Sequence, residues 1–169
     1  GHLGGGHRYF PDELTIQNSD DATDEAGSYR TWILKDHTPV KPQQYLTDEF
    51  SDASVRFING NAETPFFLII SYSAPHIPFA ATQKYLDRFP NLSGKRKTYA
   101  AMVSAVDDGV GKTLSALREH GILDDTLVFF LSDNGGPHLK NASNNSPLKG
   151  GKSDVWEGGS RVPFAARYP

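Results

Sequence analysis

Asp133 and Asn134 follow directly on the apolar run Leu127–Leu131, in the segment LVFFLSDNGG. An ionised carboxylate beside an amide carbonyl offers hard oxygen donors, and Gly135 and Gly136 let the backbone turn sharply and come close to whatever is bound. Calcium, or magnesium, is the guest that suits such a pair. For an isolated DNGG the alternative is a plain Asx turn after a strand. The neighbouring segments weigh against that alternative.

A second group of charges lies in PLKGGKSDVWEGGSRVPF, where Lys149, Lys152 and Arg161 are interleaved with glycines. Open backbone with compact cations suits an oxyanion. A nucleotide-binding P-loop does not fit. Aligning G-x-x-x-x-G-K-S/T on Gly151, Lys152 and Ser153 puts Ser146 where the first glycine belongs, followed by Pro147, which has no N–H to give. His76 is the third candidate. It stands in SAPHIPF between Pro75 and Pro78, which exclude helix and stiffen the loop that presents the imidazole. A lone histidine is usually a satisfied structural residue. One held by prolines just past an apolar run, in a chain whose other such run ends in DNGG, points to function.

These residues must be positioned by the elements around them. Residues 1–46 are rich in Gly, Pro and polar side chains without a sustained period and read as a long irregular excursion with short pieces of structure. Thr47 reads as the N-cap of a helix with Asp48 and Glu49 in its first turn, Phe50, Ala53, Val55, Phe57 and Ile58 on one side, and an end near Asn59-Gly60-Asn61. Phe66–Tyr72 and Leu127–Leu131 read as buried strands, the second buried on both faces. Between them Tyr99, Met102, Val103, Val106, Val110, Leu114 and Leu117 recur at helical steps and predict a long helix ending at Gly121. Strand, loop, helix, strand is by default a right-handed crossover in a parallel sheet, with ligands beyond the strands' carboxyl ends. The closing VPFAARYP reads as a strand cut short.

Several polar residues have plainer readings. Asp107 and Asp108 are adjacent on the long helix, so their side chains diverge by about 100° and read as a solvated or capping face. His120 complements the helix dipole at the carboxyl end. His138, Asn144 and Asn145 follow the DNGG turn; His138 is a candidate to line the pocket, and the two asparagines either reach substrate or make turns. Asn91-Leu92-Ser93 and Asn141-Ala142-Ser143 fit the glycosylation pattern but read as ordinary loop polarity.

Five segments stand in one order: GGGHRYF, YLTDEFSDASVRFI, PFFLIISYSAPHIPF, YAAMVSAVDDGVGKTLSALREHGILDDTLVFFLSDNGG and PLKGGKSDVWEGGSRVPFAARYP. In these the chain resembles the formylglycine-dependent, arylsulfatase-like (type I) sulfatases of the alkaline phosphatase superfamily. The resemblance implies an α/β fold, part of an alkaline phosphatase-like sandwich with a mostly parallel sheet flanked by helices. It implies that Asp133 and Asn134 ligate calcium, and that His76 and Lys152 contact the sulfate group as substrate-binding and catalytic residues. The implied reaction is hydrolysis of a sulfate ester by a formylglycine nucleophile. The implied substrate is a sulfated small molecule or sulfated glycan, and the implied location is periplasmic or secreted.

The chain departs from that family in lacking the nucleophile. Formylglycine is made from the Cys or Ser of C/S-x-P-S/A-R. There is no cysteine here, and Ser73-Ala74-Pro75-His76 has His and Ile77 where the motif needs a small residue and Arg. The paired aspartates and the G-K-W-H segment of the family are also absent, and His2 takes no catalytic role. The expectation is an internal fragment of the catalytic domain: residues 1–46 as the excursion, 47–169 as a portion of the α/β core, and the amino-terminal nucleophile region and carboxy-terminal subdomain outside it. Exposed strand edges, an under-covered core and no activity in isolation follow. Two rivals are a phosphodiesterase or phosphonate hydrolase of the same superfamily and a non-catalytic binding protein that retains the fold.

Composition narrows the partners. A net charge of -3, with 22% charged and 37% hydrophobic residues, is ordinary for a globular protein and gives no nucleic-acid surface. No apolar run is long enough to span a membrane. No signal peptide is visible, and the absence of cysteine excludes a disulfide framework within the chain.

Overall fold

The computed structural model describes residues 9–11, 33–137 and 142–168. Its elements in order are β1 (Ile33–Lys35), β2 (Thr38–Val40), α1 (Leu46–Asn61), α2 (Gln83–Leu86), α3 (Gly94–Glu119), β3 (Val128–Leu131), α4 (Glu157–Ser160) and β4 (Phe164–Arg167). The helical period is best realised in α3, where Ala101, Met102, Ala105, Val106, Ala116 and Leu117 are buried. It closes at His120, whose Nε2 meets Asn59 Oδ1 at 3.0 Å, and at Gly121, which takes φ +70°.

Helix α1 starts one residue before the expected N-cap. The first helical N–H, at Leu46, donates to the Tyr9 carbonyl at 2.8 Å, the N-cap position falls on Tyr45 without a side-chain cap hydrogen bond, and Thr47 is buried in the first turn. Its buried face is Leu46, Thr47, Ser51, Ser54 and Ile58, whereas Ala53 and Phe57 are exposed. The reason is a close crossing with α3. Ser54 Oγ lies 3.0 Å from Thr113 Oγ1, and a Cβ at Gly109 would collide with Ser51 Oγ and the Tyr72 hydroxyl. Only small side chains fit where the helices touch.

The two apolar runs differ from the buried strands expected of them. Phe66–Tyr72 is extended but makes no ladder among the described residues. Its side chains alternate: Phe66 and Leu68 pack beside Ile58, Ala116 and Leu117, and Tyr72 joins the main core. On the opposite side Phe67 and Ile69 are 85% and 72% exposed. Val128–Leu131 is a strand, yet it pairs antiparallel with β4, from Val128 opposite Arg167 to Leu131 opposite Phe164, and not parallel with a preceding strand. Phe129, Phe130 and Leu131 stay exposed because a two-stranded ribbon covers neither face. Both sheets of the described residues are two-stranded, β1 with β2 and β3 with β4. No helix among the described residues is long and apolar enough to cross a membrane.

The main core holds Tyr9, Tyr45, Leu46, Tyr85, Met102 and Ala105, and a second cluster gathers around Ile58, Leu117 and Leu123. At its edge Asp108 receives both Arg88 nitrogens at 2.8 Å, with Lys84 at 3.7 Å. That pairing accounts for Asp108, while Asp107 is exposed, so the two carboxylates form no shared site.

Candidate active site

The histidine loop is tied to the core by two tyrosines. Tyr9 Oη donates to the His76 carbonyl at 2.9 Å, Tyr45 Oη donates to the Ala80 carbonyl at 2.8 Å, and the two rings pack with centroids 5.8 Å apart. Burial pushes the Tyr9 phenol well above its ordinary value and the Tyr45 phenol up to about 12, so both remain donors at neutral pH. Within the loop, His76 N–H donates to Ser73 O at 2.9 Å, and the bonds preceding Pro75 and Pro78 are cis. His76 Nδ1 stands 2.7 Å from the Ile77 carbonyl. A carbonyl only accepts, so Nδ1 carries the proton, and in the neutral ring Nε2 offers its lone pair outward.

That Nε2 lies 3.3 Å from Lys152 Nζ. The two residues are 76 positions apart, and the structure brings them together at an exposed edge. Lys152 is held there by its backbone: its N–H donates to Gly136 O at 3.2 Å. The GGK segment thus runs against the DNGG turn at Gly136, two and three residues along the chain from the predicted metal ligands Asn134 and Asp133. Behind them, Gly135 N–H donates to Gly159 O at 2.9 Å, and a side chain at Gly135 would run into the Gly158 carbonyl. The glycines of DNGG and EGG therefore serve close backbone contact.

Asp133 is exposed and makes no hydrogen bond or ion pair with another described residue. Asn134 Nδ2 donates to Gly135 O at 2.9 Å, which turns Oδ1 to the other side, and Ser132 Oγ donates to Asn134 O at 2.9 Å to hold the turn. Two hard oxygens on a fixed turn fit a hard divalent cation as part of its shell. Among the described residues no third carboxylate or imidazole completes a metal-binding cluster with them.

The other candidates separate. Lys149 Nζ sits 3.8 Å from the centroid of the Trp156 ring, a cation–π contact, and is not the lysine that meets His76. Arg161 pairs with Glu157 at 3.6 Å on the exposed surface. Asn144 Oδ1 accepts the Ser146 N–H at 2.9 Å, a turn-making role. Asn145 bonds to backbone on both sides of the site. His138, Asn141 and His2 lie outside the described residues. Sequence reasoning gave Tyr9 no role; its one signal was an aromatic with a polar tip in GGGHRYF.

The chain matches the family model described as Sulfatase over residues 4–169. It is 31% identical over 148 residues to an arylsulfatase of Hemicentrotus pulcherrimus, covering 84% of this chain and 26% of that protein. It is 35% identical over 156 residues to a sulfatase of Formosa agariphila, covering 82% and 26%. Among solved structures it is similar to Ps i-CgsB in complex with k-i-k-neocarrahexaose, with TM-score 0.85, 42% identity, and coverage of 99% of this chain and 38% of that one. The fold is thus that of part of an alkaline phosphatase-like α/β domain. The chain spans about a quarter of the length of the curated relatives it matches.

Proposed function

This chain belongs to the sulfatase family, and on that premise we propose that the whole protein hydrolyses sulfate esters, with a sulfated glycan as substrate. The observation that carries the reading is the His76–Lys152 pair at 3.3 Å, built from two remote loops and seated against the turn that holds Asp133 and Asn134. The glycan class is supported by the saccharide complex of Ps i-CgsB. A periplasmic or secreted enzyme suits such a substrate.

In the net reaction the S–O bond to the sugar oxygen breaks, water supplies the oxygen that completes the sulfate, and the sugar oxygen takes up a proton. The ammonium of Lys152 has three N–H donors, one directed at His76 Nε2, leaving others for sulfuryl oxygens. His76, its Nδ1 proton engaged by Ile77 O, presents Nε2 to bind a sulfate oxygen or pass a proton to the leaving oxygen. Asp133 and Asn134 would hold a calcium ion, which when bound supplies Lewis-acid polarisation of the sulfate. The formylglycine nucleophile of the family is assigned to no residue of this chain.

The test uses the full-length protein matured with the formylglycine-generating system and offered sulfated oligosaccharides, an aryl sulfate, a phosphodiester and a phosphonate. Release of sulfate, strongly slowed in Lys152→Ala, is expected. Turnover of the phosphorus esters without sulfate release would overturn the reading in favour of a phosphoryl-transfer relative. Binding of the glycan without turnover would overturn it in favour of a binding protein.

A further inference from the structure

We infer that Asn145 is a positioning residue that couples the metal-ligand turn to the sulfate lysine. The inference rests on the roles proposed above for Asp133, Asn134 and Lys152. Asn145 Oδ1 accepts the Gly136 N–H at 3.0 Å, while Nδ2 donates to Gly136 O at 2.7 Å and to Gly150 O at 3.1 Å. The amide orientation is forced by chemistry. The reverse assignment would face an oxygen against two carbonyls and an NH2 group against an N–H.

One side chain thus satisfies both backbone groups of Gly136, two residues after Asn134, and the carbonyl of Gly150, two residues before Lys152. Gly136 O also receives the Lys152 N–H at 3.2 Å, so Asn145 and Lys152 share that acceptor. Asn145 is itself fixed, because its carbonyl receives the Leu148 N–H at 2.9 Å. The two segments have no covalent link nearer than the intervening loop, and each carries one half of the proposed chemistry. A displacement of either is transmitted to the other through this amide.

The test compares Asn145→Ala, Asn145→Asp and Lys149→Ala in the full-length enzyme. Asn145→Asp keeps the size and the acceptor for Gly136 N–H but loses both donors. Both Asn145 variants are expected to lower kcat/KM by about 10- to 100-fold and to weaken calcium binding by a similar factor, as losses of supporting hydrogen bonds do. Lys152→Ala should leave calcium binding unchanged. In a double-mutant cycle the effect of Asn145→Ala on kcat should shrink when Lys152 is already Ala, because part of it acts through that lysine. Amide hydrogen exchange should quicken together in the peptides around Gly136 and Gly150–Lys152 in Asn145→Ala, and in neither in Lys149→Ala. Additive effects, full activity in Asn145→Asp, or faster exchange confined to one segment would overturn the inference. Coupled exchange in a protein whose wild type releases no sulfate would sustain the clamp and sink the functional reading instead.

Discussion

Lys152 Nζ meets His76 Nε2 at 3.3 Å, while Lys149, three residues earlier, lays its ammonium over the Trp156 ring at 3.8 Å. Two lysines of one short segment are thus directed to different partners. Lys152→Ala should lower the sulfatase rate roughly 10²- to 10³-fold, as for one preorganised charge partner, and Lys149→Ala should cost little. Steady-state kinetics on an aryl sulfate checks the pair, and equal losses in both would refute the assignment.

His76→Ala should reduce kcat by roughly 10²-fold or more if the imidazole serves as acid or sulfate partner. Undiminished turnover of an aryl sulfate in that variant sinks the role.

Asp133→Ala should abolish turnover and lower bound calcium in the full-length enzyme, because it removes the one charged oxygen ligand of the turn. Elemental analysis decides it: wild-type metal stoichiometry in the variant would falsify the ligand assignment.

Gly109→Ala tests the helix crossing. In an open helix this change stabilises, since glycine is the poorer helix former by about 1 kcal/mol. Here the added methyl runs into Ser51 Oγ and the Tyr72 hydroxyl, so the expected sign is reversed, with about 1–3 kcal/mol of destabilisation from overpacking. Denaturant unfolding of the full-length protein measures it, and a stabilised variant would show that the crossing has room.

The Arg88 guanidinium, hydrogen-bonded to both Asp108 oxygens, holds that carboxyl below the usual aspartate value. A folded-state pKa below the unfolded one of about 3.9 gives stability that is present above that pH and lost as pH falls through the lower folded value. The melting temperature of Asp108→Asn should therefore lie slightly below wild type near neutrality, with the gap closing below about pH 4. A gap that stays constant on acidification contradicts the linkage. The pair is largely exposed, so high salt should narrow the gap as well.

The sequence by itself determined the family, through five segments in order, and with it the candidate residues: residue type and position after an apolar run mark Asp133, Asn134 and His76, while the resemblance singles out Lys152 among the cations of its segment. It also determined α3 and its end, since a 3.6-residue period and a glycine stop are local signals. Only the tertiary structure decided that the lysine meeting His76 is Lys152, that Tyr9 holds the histidine loop, and that Asn145 bridges two segments instead of merely making a turn. It also put Tyr45 in place of Thr47 at the N-cap of α1 and paired β3 with β4 in antiparallel fashion. Apolar runs announce strands but not their partners, and a hydrogen bond between residues dozens of positions apart depends on how elements pack, which no local period encodes.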